Sequence, residues 1–78
     1  SYKGQDFAGT NFDHQNLRNV DFTSANLEGA TFVKANLQGA IFDKACLKKA
    51  SFQEATLQGA MLKFVDLEEA YFFEADLS

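Results

Sequence analysis

The stretch Ala25–Ala60, ANLEGATFVKANLQGAIFDKACLKKASFQEATLQGA, places alanine at every fifth residue, and Leu or Phe follows each alanine two residues later. An α-helix buries a stripe with a period of about 3.6 residues, and a β-strand buries every second residue. A period of five suits neither element. The stretch therefore requires a backbone that bends at regular intervals.

The same period extends along the whole chain. Every fifth residue from Tyr2 to Leu77 is large and apolar, and Phe alternates with Leu from Phe12 to Leu57. We interpret each five-residue unit as a short extended segment and a corner, with its alanine and its Leu or Phe pointing inward. If Phe stacks on Phe and Leu on Leu in successive coils, the strict alternation of Phe and Leu requires an even number of segments per coil. Four are predicted, because two enclose nothing and six leave the interior unfilled.

These arguments predict the fold class. We expect an all-β chain, a right-handed quadrilateral parallel β-helix (a solenoid) with about four coils of four pentapeptides. Residues 1–78 are taken as a single domain, which could be part of a longer chain. Side chains twenty residues apart should stack in ladders. One ladder is Phe12, Phe32, Phe52 and Phe72, and the opposite one is Tyr2, Phe22 and Phe42.

The corners and the outer surface carry further expectations. Glycine at several corners suits a turn with positive φ. Most corners after Phe lack glycine, so a different corner geometry is expected there, at His14, Ser24, Lys34, Lys44 and Glu54. Opposite charges should also stack on neighbouring rungs, in the sets Glu28–Lys48–Glu68, Asp43–Lys63 and Lys34–Glu54.

These units resemble the pentapeptide-repeat family, whose consensus is Ala, then Asp or Asn, then Leu or Phe, then two variable residues. The units ANLEG at 25–29, ANLQG at 35–39, VDLEE at 65–69 and ADLS at 75–78 match it. The first units depart from it, with Gln5, Thr10, Gln15 and Val20 where Ala is usual. The resemblance implies the same right-handed quadrilateral β-helix. It also implies a bacterial setting, and its best-understood members are acidic rods that mimic duplex DNA and bind topoisomerases.

Two functions follow from these observations. The first is a non-enzymatic scaffold or protein-interaction module. The alternative is a DNA-mimicking modulator of a type II topoisomerase (gyrase). A mimic should present acid along its length, whereas residues 43–63 carry Lys44, Lys48, Lys49 and Lys63, and the acidic residues gather in 64–78. We therefore favour the first function.

Composition limits the partners. The net charge of −4 argues against direct nucleic-acid binding. No apolar run is long enough for membrane insertion, and the single Cys excludes an internal disulfide. The cytoplasm is favoured over a lumen or the periplasm as the compartment.

The sequence predicts no enzyme, no catalytic residue, no cofactor and no metal site. His14 is placed at an outward corner, and Cys46 faces outward between Asn26 and Asp66. A general base needs a partner and a pocket, and a nucleophilic thiol needs a nearby base. Parallel rungs place side chains in columns rather than in convergent groups, so neither residue is predicted to act chemically.

Apolar residues at outward positions are the candidate interaction surface. Ile41, Met61 and Phe64 are expected along one side, and Tyr71 and Phe73 along the opposite side. Their partner is either another protein, a second copy in an end-to-end homodimer, or a missing cap segment, because solenoid ends expose unpaired backbone.

Overall fold

The computed structural model describes all 78 residues, and its regular structure consists of isolated parallel bridges. No helix and no longer strand is present. Each of the eleven bridges joins residues twenty positions apart, which is the register that the Phe–Leu alternation predicts. The bridges form four columns, which we call face 1 (Asp6, Asn26, Cys46, Asp66), face 2 (Asn11, Thr31, Ser51, Tyr71), face 3 (Asn16, Asn36, Thr56, Asp76) and face 4 (Asp21, Ile41, Met61).

In residues 25–29 every N–H group has a defined acceptor. Three N–H groups bond to neighbouring rungs, one closes the preceding corner, and one bonds to a side chain. The bonds are Asn26 N to Gln5 O in the rung before, Leu27 N to Cys46 O and Gly29 N to Lys48 O in the rung after, Ala25 N to Phe22 O, and Glu28 N to Asn26 Oδ1, with lengths of 2.8 to 3.1 Å. The backbone of this unit is fully paired only when both neighbouring rungs are present.

The polar residue in the second position of a unit satisfies the N–H group that the ladder leaves free. Eight Asn or Asp side chains accept the N–H of the residue two positions later, as in an Asx turn. They are Asp6, Asn11, Asn16, Asp21, Asn26, Asn36, Asp66 and Asp76. Where the position holds Thr31 or Met61, the corresponding N–H bonds to Asp13 or Asp43 in the rung before. The Asn and Asp preference thus serves the backbone in these eight units.

The core contains only Phe, Leu and Ala, which make up all seventeen buried residues. The rings of the predicted ladder Phe12–Phe32–Phe52–Phe72 are parallel, with centroids 4.9 to 5.1 Å apart. Phe22 and Phe42 stack at 5.3 Å on the opposite side. The two stacks meet edge to face at 5.7 to 6.0 Å, a favourable arrangement for aromatic quadrupoles. The predicted Phe ladders are confirmed.

The expectation of a different corner after Phe is wrong. All fifteen corners place the same position of the unit at positive φ, from 58° to 72°. His14, Ser24, Lys34, Lys44 and Glu54 occupy this region at 58° to 64°, beside the glycines at 69° to 72°. The left-handed region centres near +57°, so a side chain can enter it at some cost in strain. Closure of the four-sided coil therefore fixes the backbone conformation at each corner, and glycine only lowers the strain of that conformation.

Most of the predicted charge pairs are also absent. The two ion pairs in the structure both belong to Lys48, whose Nζ lies 3.8 Å from Asp66 and 3.9 Å from Glu68. Lys34 and Glu54 form no pair, and neither do Glu28 and Lys48. Asp43 instead accepts the backbone N–H of Lys63 at 3.0 Å. Stacking fixes the backbone positions of column neighbours, whereas long exposed side chains remain solvated.

We expect the Asx bond to contribute measurable stability. Asn36→Ala removes the acceptor of the partly buried Gln38 N–H, and should lower the free energy of unfolding by about 1 kcal/mol. Thr56→Ala is the matched control, since Thr56 is bridged to Asn36 on face 3 and its side chain caps no N–H. Urea denaturation of both variants measures the difference. Equal losses in the free energy of unfolding of the two variants would show that the hydrogen bond accepted by Asn36 contributes no stability of its own.

The capped carboxylates predict an acid-sensitive contribution to stability. The Thr23 hydroxyl and then the Thr23 N–H lower the pKa of Asp21 from its ordinary value of 3.8. A carboxyl whose pKa is lower in the folded chain stabilises the fold above its unfolded pKa. That contribution is lost as the pH falls below about 3.8 and through the lower folded pKa. Thr23→Val should raise the pKa of Asp21 in an NMR titration, and an unchanged pKa would contradict the assignment.

Candidate interaction surface

The outer surface of the rod is the part of the molecule on which a site can be sought. The structure contains no pocket, and it contains no group of three or more His, Cys, Asp or Glu side chains arranged to hold a metal ion. No helix suited to crossing a bilayer occurs in the structure. The exposed side chains of the outer surface are therefore the candidates for a functional role.

His14 and Cys46 lie where the sequence predicts them. His14 is exposed at a corner with φ of 64°. Cys46 is half-buried on face 1, bridged to Asn26 on one side and to Asp66 on the other. The two residues belong to different columns of the rod, and the structure does not bring them together.

Phe64 occupies the least favourable corner in the chain for its residue type. The residue is 84% exposed although its backbone has φ of 58°, in the left-handed region. Bulky side chains are true outliers there, and the conformation costs about 1–2 kcal/mol. This corner is also the only one that lacks its closing hydrogen bond, since Val65 N does not bond to Leu62 O. Neither packing nor hydrogen bonding explains an aromatic residue at this place.

Phe64 shares its surface with Ile41 and Met61, and we call these three residues the face 4 patch. Ile41 and Met61 are bridged to each other on face 4, and Phe64 stands at the corner that ends this side of the rod. Met61 is 42% exposed, and Ile41 is half-buried beside it. The three residues thus form one apolar strip that is open to solvent.

Tyr71 and Phe73 form a second exposed group, the face 2 patch. The two residues are 50% and 53% exposed, and their rings stack on each other with centroids 6.2 Å apart. Tyr71 is bridged to Ser51 on face 2, which is the side of the rod opposite face 4. The five predicted surface residues are therefore exposed or half-buried, and the structure divides them between two opposite sides.

The charges beside the two patches are functional candidates that the sequence argument missed. Lys44 lies one rung before Phe64 in the same corner column, and Lys63 directly precedes Phe64. Glu54 and Glu74 share the corner that follows the face 2 patch. All four are exposed and none forms an ion pair. The sequence contained the information needed to find these charges, because residues ten positions apart lie on opposite faces and can carry opposite charges.

The comparisons identify what this chain is similar to. The family model for a pentapeptide repeat region matches residues 1–76. HetL, a pentapeptide repeat protein involved in heterocyst differentiation regulation from the cyanobacterium Nostoc sp. strain PCC 7120, superimposes with a TM-score of 0.84 and 32% identity over 90% of this chain and 33% of HetL. No curated protein matches the chain.

Two further solved structures share the fold. The pentapeptide repeat protein alr5209 of Nostoc PCC 7120 has a TM-score of 0.55 and 33% identity, over 94% of this chain and 64% of that protein. QnrB1, a plasmid-mediated fluoroquinolone resistance protein, has a TM-score of 0.57 and 24% identity, over 92% of this chain and 44% of QnrB1. The chain thus spans less than two thirds of each of these proteins.

The strain at Phe64 predicts that its replacement stabilises the rod. Phe64→Gly should raise the free energy of unfolding by roughly 0.5–1 kcal/mol, since glycine enters the left-handed region without strain. Lys44→Gly is the matched control, at φ of 63° in the same column. Urea denaturation should give similar gains for both variants. A loss with Phe64→Gly alone would assign the ring a packing role and remove the functional interpretation.

Proposed function

Because the chain belongs to the pentapeptide-repeat family, we propose that it is a non-enzymatic scaffold or protein-interaction module that presents its two exposed patches to protein partners. The rod serves as a rigid support, and the patches supply the apolar contact. We also infer that the chain winds right-handed through almost four coils of four pentapeptides. The twenty-residue register of the bridges supports that coil length.

The observation that carries this proposal is Phe64. An exposed aromatic residue in a strained backbone conformation costs stability without improving the core. Aromatic side chains are also over-represented in protein interfaces, where they contribute large contact area. The stability that the corner loses is therefore best explained by a contact outside the chain.

The architecture favours binding over catalysis. Outward side chains lie in parallel columns, so neighbours from successive rungs point in the same direction. A catalytic site needs groups that converge on one reacting atom in a space from which water is excluded. A flat face bearing apolar and charged side chains is instead suited to contact with another protein surface.

Modulation of gyrase through DNA mimicry is the second candidate, and the charge pattern disfavours it. Lys44, Lys48, Lys49 and Lys63 interrupt the acidic surface that a duplex mimic needs. The purified chain should leave gyrase supercoiling unchanged at low micromolar concentration. Inhibition or protection of gyrase would reverse the preference between the two candidates.

A photo-crosslinking amino acid at position 64 tests the proposal directly. We expect benzoylphenylalanine at this position to give discrete protein adducts in cells that express the protein, because the side chain extends into the expected contact. The same probe at the exposed corner His14 is the control. Adducts that are equally abundant from both positions, or from neither, would contradict a specific interaction at Phe64.

A further inference from the structure

We propose that the face 2 patch binds an arginine-rich segment of a partner protein, whose guanidinium groups contact the rings of Tyr71 and Phe73 and pair with the carboxylates of Glu69 and Glu74. This inference rests on the proposed interaction function and specifies the chemistry of one partner. It is based on the exposed ring pair, the acidic corners on both sides of that pair and the absence of ion pairs at those corners.

The two rings of the face 2 patch form a preformed contact surface. Tyr71 and Phe73 extend outward from the same segment, and their ring planes make an angle of 23°. About half of each residue is open to solvent. Because the rings already pack on each other, little side-chain freedom is lost when a ligand covers them. Exposed Tyr and Phe rings attract cations, and arginine in particular also stacks on aromatic faces.

Tyr71 does not serve the backbone in the way that other residues at its position do. It occupies the second position of its unit, and at the base of the same column Asn11 accepts the N–H of Asp13 at 2.7 Å. The equivalent N–H, that of Phe73, has no acceptor within the chain. The Tyr71 ring is also outside the buried core. The ring therefore supports neither the core nor this turn, and a contact outside the chain accounts for it.

The corners on both sides of the ring pair are acidic. In the last rung Glu69 is the corner that precedes face 2, and Glu74 is the corner that follows it. One rung earlier these corners are Lys49 and Glu54, and Lys34 lies one rung before Glu54. All five side chains are exposed and none forms an ion pair. In the last two rungs the rings are thus bordered by three free carboxylates and one ammonium group.

The other basic side chains of the last two rungs do not neutralise this acidity. Lys48 is paired with Asp66 and Glu68 on face 1. Lys44 and Lys63 lie at face 4, on the opposite side of the rod. Face 2 is therefore the side of the rod that combines a pair of exposed rings with unpaired carboxylates, and a cationic partner complements it.

An extended segment with arginine at every second residue suits this surface. Tyr71 and Phe73 are two positions apart on an extended segment, and an extended partner presents every second side chain with a similar spacing. One guanidinium can then lie over the rings while its neighbours reach the corners at Glu69 and Glu74. A guanidinium both stacks on rings and pairs with a carboxylate through two hydrogen bonds, whereas an ammonium acts as a point charge. We therefore expect a preference for arginine over lysine.

An NMR titration of the ¹⁵N-labelled chain at low salt tests the site, because it locates weak contacts on individual amides. A short peptide of alternating arginine and glycine should shift the amide signals of residues 69–74 in a saturable way. The peptide with citrulline in place of arginine is the uncharged control and should leave these signals unchanged. The peptide with lysine in place of arginine should bind about threefold more weakly, and added salt should weaken both charged peptides.

Three variants separate the rings from the charges. Tyr71→Leu with Phe73→Leu keeps the surface apolar but removes the aromatic rings, and should raise the dissociation constant of the arginine peptide about fivefold. Glu69→Gln with Glu74→Gln should raise it about tenfold. Lys49→Gln removes the one ammonium group that opposes the ligand, and should lower the dissociation constant about twofold.

Two matched controls alter the same residue types elsewhere on the rod. Phe64→Leu removes an exposed ring from face 4, and Glu28→Gln removes an exposed carboxylate from face 1, so both should bind the arginine peptide like the wild type. The dispersion of the amide spectrum verifies that each variant is folded. The site is refuted by an absence of saturable shifts at residues 69–74, by equal shifts with citrulline, or by unchanged binding in the double leucine variant. Equal weakening by the control variants would also refute it.

The failure of this inference can be separated from the failure of the proposed function. Discrete adducts of benzoylphenylalanine at position 64, together with no peptide binding at residues 69–74, would retain the interaction module and exclude arginine as the ligand of face 2. Ring-dependent peptide binding without adducts at position 64 would support the arginine site and restrict the interaction to face 2.

Discussion

The structure depends on the agreement of two spacings, the separation of hydrogen-bonded rungs and the separation of stacked aromatic rings. Backbone pairing separates neighbouring rungs by about 4.8 Å, and the rings of Phe12, Phe32, Phe52 and Phe72 lie 4.9 to 5.1 Å apart. Parallel aromatic stacking and the backbone ladder therefore require the same spacing. Each rung supplies hydrogen-bond acceptors to the rung before it and ring faces to the core, so no unit is complete by itself.

This constraint divides the five positions of a unit into fixed and free ones. The alanine and the Leu or Phe are fixed by the core, and in eight units an Asn or Asp at the second position satisfies a backbone N–H group. The corner position is fixed in backbone conformation and free in side chain, as the presence of glycine, Lys44 and Phe64 at equivalent corners demonstrates. A new surface property can therefore be acquired at a corner without any change in the core, at the cost of local strain.

The sequence predicted the register and the ladders because both follow from the identity and spacing of buried residues. The prediction failed at the corners, because it assumed that only glycine adopts positive φ. Closure of the four-sided coil imposes that conformation on His14 and Lys34 as well. The prediction also failed for Lys34 and Glu54, since a shared column does not hold two solvated side chains together. The sequence placed Phe64 at a corner, but its 84% exposure and the missing hydrogen bond of Val65 required coordinates.

The four-sided register also explains how a short chain can carry two different surfaces. Residues ten positions apart belong to opposite faces, as the bridges of Met61 and Tyr71 to separate columns show. Lys44 and Glu54 are related in the same way, and so are Lys63 and Phe73. A difference between units ten residues apart thus becomes a difference between opposite sides of the rod. Because the corner backbone has the same conformation on both sides, side-chain identity alone gives one side the aliphatic residues Ile41 and Met61 and the other side the stacked rings of Tyr71 and Phe73.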